Sequence, residues 1–388
     1  MDIDKLWDIF YKKFEDTGLS KGLFAAPGRV NLIGEHTDYN DGFVLPMAID
    51  KKMQMIVQLR DDQLVQAYSL DYNQKIVFSL VDLEFEKDKM WANYIKGVID
   101  QLQQDKVQLN GFNLIFTGDI PQGSGLSSSA ALEVATAYAL SALHGLDIKG
   151  VEMALLCQRA ENNFVGVNCG IMDQYISRLG KKDHALMIDC RTNEYELIPF
   201  ISKNYKIVIV NSKVERGLVD SEYNQRRAEC EKAVEFFSKK LDHKIRALRD
   251  VSLDEFNKYS DQLEEVVRKR ARHVISENNR VLTAVAALKN NDFSSFGKLM
   301  NDSHISLRDD YQVSCQELDL LVELALEQKG VLGSRMTGAG FGGCTVSLLE
   351  KKEVDDFIIK ISQRYRGETG IEPDIYISSP ADGPRKLE

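Results

Sequence analysis

Much of what this 388-residue chain could do is excluded by what it lacks. No stretch approaches the roughly 18 consecutive apolar residues of a membrane span. The opening residues alternate acids and lysines with apolar positions, as an amphipathic helix does, and carry no apolar core of a secretory signal. Cysteines are few: Cys157, Cys169, Cys190, Cys230, Cys315 and Cys344. None stands in a C-x-x-C pair or beside suitably spaced histidines, which argues against zinc and for a reduced, cytoplasmic protein. There is no fixed-period repeat, no low-complexity segment and no linker rich in Pro, Gly or Ser. Basic residues are in the minority, 49 against 59 acidic, and the net charge of −10 speaks against coating nucleic acid or an anionic membrane. Two familiar sets of nucleotide signatures are also missing. No G-x-x-x-x-G-K-[ST] loop occurs, and there is neither an H-R-D nor a D-F-G.

A chain of this length can bury a sizeable core unaided and holds two domains at about 100–200 residues each. Strand-like runs at 43–49, 53–59 and 112–118 mix with helical ones in the first half, where Phe112, Leu114 and Phe116 line one strand face. A helix rich in Ala and Leu runs from Ser127 to about His144, closed by Gly145, and another spans about 150–164. The strand at 206–211 is followed by helices near 220–241, 262–289, 293–303 and 317–329, the last with Gly330 as its cap. Strands at 344–349 and 373–378 flank a helix near 354–365, and the residues after Pro380 read as a loose tail. This order gives an α+β protein with two domains, 1–195 and 196–388. The basic run RKRARH at 268–273 follows Glu264 and Glu265 at pairing distance on a helix, so it reads as a solvated face rather than a polyanion site.

Three segments carry chemistry. The first, APGRVNLIGEHTDYND at 26–41, crowds Arg29, Glu35, His36 and Asp38 beside apolar Val30, Leu32 and Ile33. Such groups need water, partners or a ligand, and a polyol offers hydroxyls that carboxylates and imidazole bind. Alone it could equally be a surface strand and turn with ordinary ion pairs. The second, PQGSGLSSSAA at 121–131, frees the backbone with two glycines and opens a helix with three serines. That aims amides and a positive helix end at one spot, a phosphate cradle, although a plain Gly/Ser cap reads similarly. The third, GSRMTGAGFGG at 333–343, has five glycines in eleven residues before a strand. It permits close backbone approach, or merely a flexible hairpin.

Together, in order and wording, the three resemble the signatures of the GHMP small-molecule kinases, and GRVNLIGEHTDYNDGFVLP narrows the resemblance to the galactokinase branch. It extends over nearly the whole chain, through WANYIKG at 91–97, ENNFVGVNCGIMDQ at 161–174, SEYNQRR at 221–227 and SHISLRDDY at 303–311. The resemblance implies a two-domain α+β fold of GHMP kinase type with its active site in the cleft between the domains. It implies ATP-dependent phosphorylation of the anomeric hydroxyl of galactose by a cytoplasmic monomer, with Mg²⁺ as cofactor and no nucleic-acid or membrane partner. By the same resemblance Asp173 is the catalytic carboxylate and Arg29 its partner. Glu35, His36, Thr37, Asp38, Gly170 and Tyr223 bind the sugar together with Asp173. Gly123, Ser124, Gly125, Leu126, Ser127, Ser128 and Ser129 form the phosphate loop, with Ser69 and Trp91 towards base and ribose. Ser129 and Glu161 are the metal ligands, and the third motif braces the phosphate loop. Asp173 falls in the first turn of a helix over 171–179, where the helix end and Arg29 both favour its ionised form. His144, His184, His243, His273 and His304 have no motif around them and read as structural or exposed. A kinase of the same family acting on N-acetylgalactosamine or arabinose, or a sensor that binds sugar and ATP without turnover, would share the motifs. Such sensors lack residues just after the serines, whereas Ser129, Ala130 and Ala131 are all present here.

Overall fold

A computed structural model describes residues 2–121, 123–167, 169–200, 203–214 and 219–388, with side chains from Glu222 onward in the last segment. Gln122 of the second motif and Asn168 lie outside the described residues. The architecture is a mixture of helices with three sheets, as an α+β reading requires.

The long strand Lys21–Asn31 pairs antiparallel with Pro46–Leu59, which pairs in turn with Phe112–Gly118. Phe112–Gly118 runs parallel to Leu64–Ser69, whose hairpin partner is Gln74–Ser79. Side chains alternate between two covered faces. Phe112, Leu114 and Phe116 enter the main core, while Ile115 joins Leu23 and Ile56 under the N-terminal helix Ile3–Lys13. Residues 43–49 and 53–59 do not form two strands. Residues on both sides of Asp50-Lys51-Lys52 pair with Lys21–Asn31, so the chain stays extended through Pro46–Leu59. Phe43–Val44 pairs elsewhere, with His184–Asp189, whose other neighbour is Glu194–Pro199. A division after residue 195 would therefore cut a strand.

A second antiparallel sheet orders Val331–Thr337, Cys344–Glu350, Tyr205–Asn211 and Asp374–Ser378. The helix Ser128–His144 ends at Gly145 in the left-handed conformation (φ 67°), matching its sequence signal. The helix Gly150–Ala160 runs on into one wide turn, Glu161–Val165, which Gly166 closes. Two features depart from the sequence reading. The end of the chain is not loose: Ala381 and Gly383 donate to Ala48 and Gly180, and Arg385–Lys386 pairs with Lys21–Asn31. That pairing covers an edge whose amides and carbonyls would otherwise face water. Nor is 268–273 a solvated face. At helical spacing Val267, Arg270, Ala271 and Val274 share the buried side of Glu265–Lys289. Arg270 donates to Glu229 (2.7 Å) and the Asp310 carbonyl (2.6 Å) there, while Arg272 turns outward to Asp310. Among the described residues no helix is long and apolar enough to cross a membrane.

The helix Phe293–Ser306 lies so close on Val331–Thr337 that Gly297 and Gly333 face each other backbone to backbone, and a Cβ on either would overlap the other strand or helix. Gly297→Ala should therefore cost about 1–3 kcal/mol by overpacking and lower the thermal midpoint by several degrees, followed by circular dichroism. An unchanged midpoint would show that the two elements can separate without loss.

Candidate active site

The site is built where the first strand meets the helix Ser128–His144. The register of Lys21–Asn31 slips between Pro27 and Arg29, a bulge that re-aims the strand end. Gly28 lies against the second motif, where a Cβ would sit 2.7 Å from the Leu126 carbonyl, and the Arg29 amide donates to that same oxygen (3.1 Å). The Arg29 side chain is almost fully buried. Its Nε and Nη2 donate to the two oxygens of Asp173, at 2.8 and 2.9 Å, and its Nη1 donates to the Gly125 carbonyl. Asp173 stands in the first turn of the helix Met172–Leu179 and also accepts from the Ser127 hydroxyl. Ser127 holds φ 60°, a left-handed conformation unusual for a side-chain residue, directly before the helix. One fork-shaped donor thus ties the first motif, the phosphate loop and the catalytic candidate together.

Around this pair lies a cavity of about 270 Å³. Arg29, Glu35, His36, Asp38, Gly170 and Asp173 all line it, with Tyr223 and Glu161 at its sides. Tight backbone sets the first motif: Gly34 (φ 97°) packs on Phe43, and His36 itself adopts φ 62°. Gly170 is required because a Cβ there would overlap the Asp38 carboxylate. Glu35 is fully enclosed; its Oε1 accepts from the Gly338 amide (2.6 Å), while Oε2 has no partner among the described residues. Burial pushes its carboxyl up to about 7 even though Arg335 opposes the shift. Burial and the nearby Asp173 push Asp38 up to about 6. His36 goes the other way, down to about 3, because burial disfavours the imidazolium. Its Nε2 faces the Ala339 carbonyl (3.2 Å), so the neutral ring carries its proton there. Nδ1 then accepts from the Tyr39 hydroxyl (2.8 Å), which leaves Tyr39 accepting from Tyr311 (2.7 Å). Tyr223 packs against both His36 and Tyr39.

A group of acids lies beside this clamp. Glu161 accepts from Gln174 Nε2 (2.6 Å), and the same amide nitrogen lies 3.1 Å from Glu133. Burial and the proximity of Asp173 raise Glu161 to about 7, and Glu133 is raised well above the usual carboxylate range by burial and by Glu161. Among the described residues no cluster of three or more His, Cys, Asp or Glu is arranged as a metal cage. A hard divalent cation taking one carboxylate, a serine hydroxyl and ligand oxygens needs no cage, and this crowding of buried carboxyl groups, whose ionisation a cation would favour, with an unpartnered Glu133 Oε1 suits it.

Of the residues expected at the site, Thr37, Ser69, Trp91 and the loop 123–129 do not line the cavity, although Ser127 and the Gly125 carbonyl reach Asp173 and Arg29. Thr37 is fully buried, and its hydroxyl lies 3.0 and 2.7 Å from the Gly34 and Phe43 carbonyls, pinning the turn. Ser69 is fully buried and accepts from the Tyr72 amide; Trp91 packs on Phe116 and donates to Gln74. Among the described residues the third motif is bonded to the first. Its hydrogen bonds among the described residues include Gly338 and Ala339 to Glu35 and His36, Thr337 to Asn31, and Phe341 to Val313. Sequence reasoning missed Tyr39, Glu133, Gln174 and His273. His273 is fully buried, with Nε2 on the Glu35 carbonyl (3.1 Å) and Nδ1 on Ser306 (2.9 Å). A glutamate inside an alanine-rich buried helix was a usable signal for Glu133.

Comparison with known proteins covers most of the chain. Residues 8–59 match the galactokinase galactose-binding signature, 93–181 the GHMP kinases N terminal domain and 284–367 the GHMP kinases C terminal domain. The chain is 50% identical over 388 residues to a galactokinase of Clostridium acetobutylicum, covering 99% of this chain and 98% of that one. It is 48% identical to a galactokinase of Fusobacterium nucleatum, over the full length of both. The crystal structure of Lactococcus lactis galactokinase complexed with galactose superposes with a TM-score of 0.95 at 40% identity, covering 99% of this chain and 100% of that one. Methanococcus jannaschii mevalonate kinase shares the fold, with a TM-score of 0.65 at 19% identity over 94% of this chain and 99% of that one.

The acid density has a thermodynamic consequence. Asp38 binds its proton more tightly folded than unfolded, so its ionisation removes stability as the pH rises from 3.8 to about 6. Asp38→Asn escapes that loss and should melt above the wild type at pH 8, the gap shrinking between pH 6 and pH 4. Differential scanning calorimetry of the ligand-free proteins decides it: a variant no more stable than wild type at pH 8 contradicts the electrostatic reading.

Proposed function

The chain belongs to the GHMP kinases, in their galactokinase branch, and phosphorylates galactose with ATP; we propose that the acceptor is the anomeric hydroxyl and that Arg29 and Asp173 carry the transfer. The observation behind this is the two-point hold of Arg29 on Asp173, made at the same place where Arg29 and Ser127 join the phosphate loop to the cavity. Release of ADP over a panel of free hexoses, with and without Mg²⁺, is the direct test.

Glu35, His36, Asp38, Tyr223 and the backbone at Gly170 surround the sugar in this proposal. Carboxylates that accept hydroxyl protons orient it, and the neutral His36 is held by Tyr39 so that its ring keeps one face to the cavity. Asp173 takes the proton of the anomeric hydroxyl as that oxygen attacks the γ-phosphorus, while the bond from that phosphorus to the β,γ-bridging oxygen breaks and ADP leaves. The transition state of phosphoryl transfer is loose, so little proton removal is needed early, and positioning with charge stabilisation dominates. Arg29 supplies both, holding the base while its guanidinium charge lies beside the loop that cradles the phosphates. Residues 123–129 and the N-terminus of Ser128–His144 offer amides and a positive helix end to those phosphates. A magnesium ion would be held by the Ser129 hydroxyl and the Glu161 carboxylate; when bound it supplies positive charge to the phosphate oxygens. Ser69 and Trp91, both turned into the protein, are not among the nucleotide contacts proposed. We place two domains on either side of the cavity, with the boundary after Pro199, in a cytoplasmic monomer.

Asp173→Asn keeps the shape of the side chain and loses its charge. ADP release should fall at least about 10²-fold while galactose binding by calorimetry stays within a few-fold. A variant keeping more than a tenth of the wild-type rate removes Asp173 from the role.

Substrate choice follows from Asp38, placed here against the hydroxyls at carbons 3 and 4. Glucose in the same pose leaves this enclosed acceptor short of a donor, which costs about 1–3 kcal/mol or more, and discrimination can approach roughly 10⁴ in such sites. Wild type should use galactose far better than glucose, and Asp38→Ala should lose galactose activity and narrow that ratio. Initial rates on both sugars for both proteins are the measurement; an unchanged ratio in the variant would sink the assignment of Asp38.

A further inference from the structure

We propose that Arg335, from the third motif, is a positioning residue of the sugar site that acts by holding Glu35 as an aimed carboxylate. The inference rests on the galactose reading of the cavity, which saturation kinetics of the wild type test separately.

Arg335 is completely enclosed, the largest such side chain among the described residues. It lies in Val331–Thr337, a strand bonded along its length to Cys344–Glu350. Nη1 donates to the Asn31 carbonyl (3.2 Å) and stands 3.5 Å from Glu35 Oε1; Nε and Nη2 have no hydrogen-bond partner among the described residues. A buried guanidinium so poorly hydrogen-bonded is costly unless a charge answers it, and Glu35 is the carboxylate in ion-pair reach. The same Oε1 accepts from the Gly338 amide, three residues further along the motif. Glu35 is therefore held at one oxygen by the third motif, and its Oε2 remains free in a residue that lines the cavity. Thr337 secures the distance by a double tie, accepting from the Asn31 amide (3.2 Å) and donating to the Asn31 carbonyl (2.9 Å). On this view the glycine-rich third motif serves the sugar.

The charged and titratable groups around Glu35 are Arg335, Arg29, Glu277, His273 and His36. Glu277 is lowered to about 2 and the two histidines to about 4 and 3, so none of the three titrates above pH 6. Asp38 titrates near 6, below the window of interest. Arg335 favours the ionised form of Glu35, and its removal must raise the pH at which Glu35 takes a proton.

The experiment uses Arg335→Met, Glu35→Gln and the double variant. At pH 8, R335M should raise KM for galactose about tenfold or more while KM for ATP stays within about twofold. The rise in KM on acidification should begin at higher pH than in wild type. In the E35Q background the second substitution should add less than about twofold. The double variant should also melt above E35Q, because the single change leaves Arg335 charged and unanswered. Equal rises in both KM values, or full multiplication of the two effects, overturn the proposal. If R335M alone fails to fold and the double folds, the pairing is supported. If both fail while E35Q folds, Arg335 belongs to the core on its own account and the proposal falls.

Discussion

Four carboxyl groups, Glu35, Asp38, Glu161 and Asp173, share one small cavity, and the repulsion and desolvation among them is the constraint that the rest of the structure answers. Glu35, Asp38 and Glu161 are displaced upward, each with burial as its largest cause. Two arginines provide most of the compensation. Arg29 comes from the first strand and Arg335 from the glycine-rich motif more than three hundred residues later, so both halves of the chain must be in place before the acids are tolerable. Neutral donors supply the remainder: the Gly338 amide to Glu35, the Ser127 hydroxyl to Asp173 and the Gln174 amide to Glu161.

Some of the backbone strain lies at the same place. His36 and Ser127 hold left-handed conformations without being glycine, and Asp41 does so at the end of the first motif. Each costs something on the order of 1–3 kcal/mol unless its surroundings fix it. The surroundings do so here: helix Glu265–Lys289 sends His273 to the Glu35 carbonyl, Glu277 to the Gly34 amide (2.9 Å) and Asn278 to the Phe43 amide (2.9 Å). One face of one helix thereby carries three successive points of the sugar motif. Arg191 and Arg249 tie Asp41, Asp189 and Asp250 together just outside it.

That support explains which parts were legible in the sequence. The helix Ser128–His144, its glycine stop and the turn at Asp173 were readable because local spacing and caps dictate them. The residues of the first motif met in one cavity because crowded polar groups beside apolar ones have few stable arrangements. Between His36 and Asp38 Thr37 looks like a side-chain ligand contact, yet its hydroxyl is turned inside to the Phe43 carbonyl. The inward turn of Arg270 and His273 was hidden because a basic run looks solvated until its partners, Glu229 and the Glu35 carbonyl, are known to lie opposite. The pairing of the last residues with the first strand was invisible for the same reason: edge cover is a demand made by a strand more than three hundred residues away. Long-range needs decided the last two, and no local signal carries them.

The electrostatics also bear on how donor and acceptor meet. A triphosphate brings several negative charges into a place already crowded with carboxyl groups. What answers it from the protein is the N-terminus of Ser128–His144 and the outward side of Arg29, whose other nitrogens are committed to Asp173. In the mechanism proposed above, one side chain therefore balances Asp173 against the phosphates, and moving it towards either would weaken the other. In the same proposed mechanism, a cation held by Ser129 and Glu161 would relieve that competition, because it would pair a raised carboxyl to which Arg29 does not bond. Arg29 is then left to its position between Asp173 and the Gly125 carbonyl, where the attacking oxygen and the phosphoryl group must come into line. The bulge after Pro27 re-aims the strand end that carries that side chain, so the proposed chemistry depends on a backbone irregularity as well as on the groups that line the cavity.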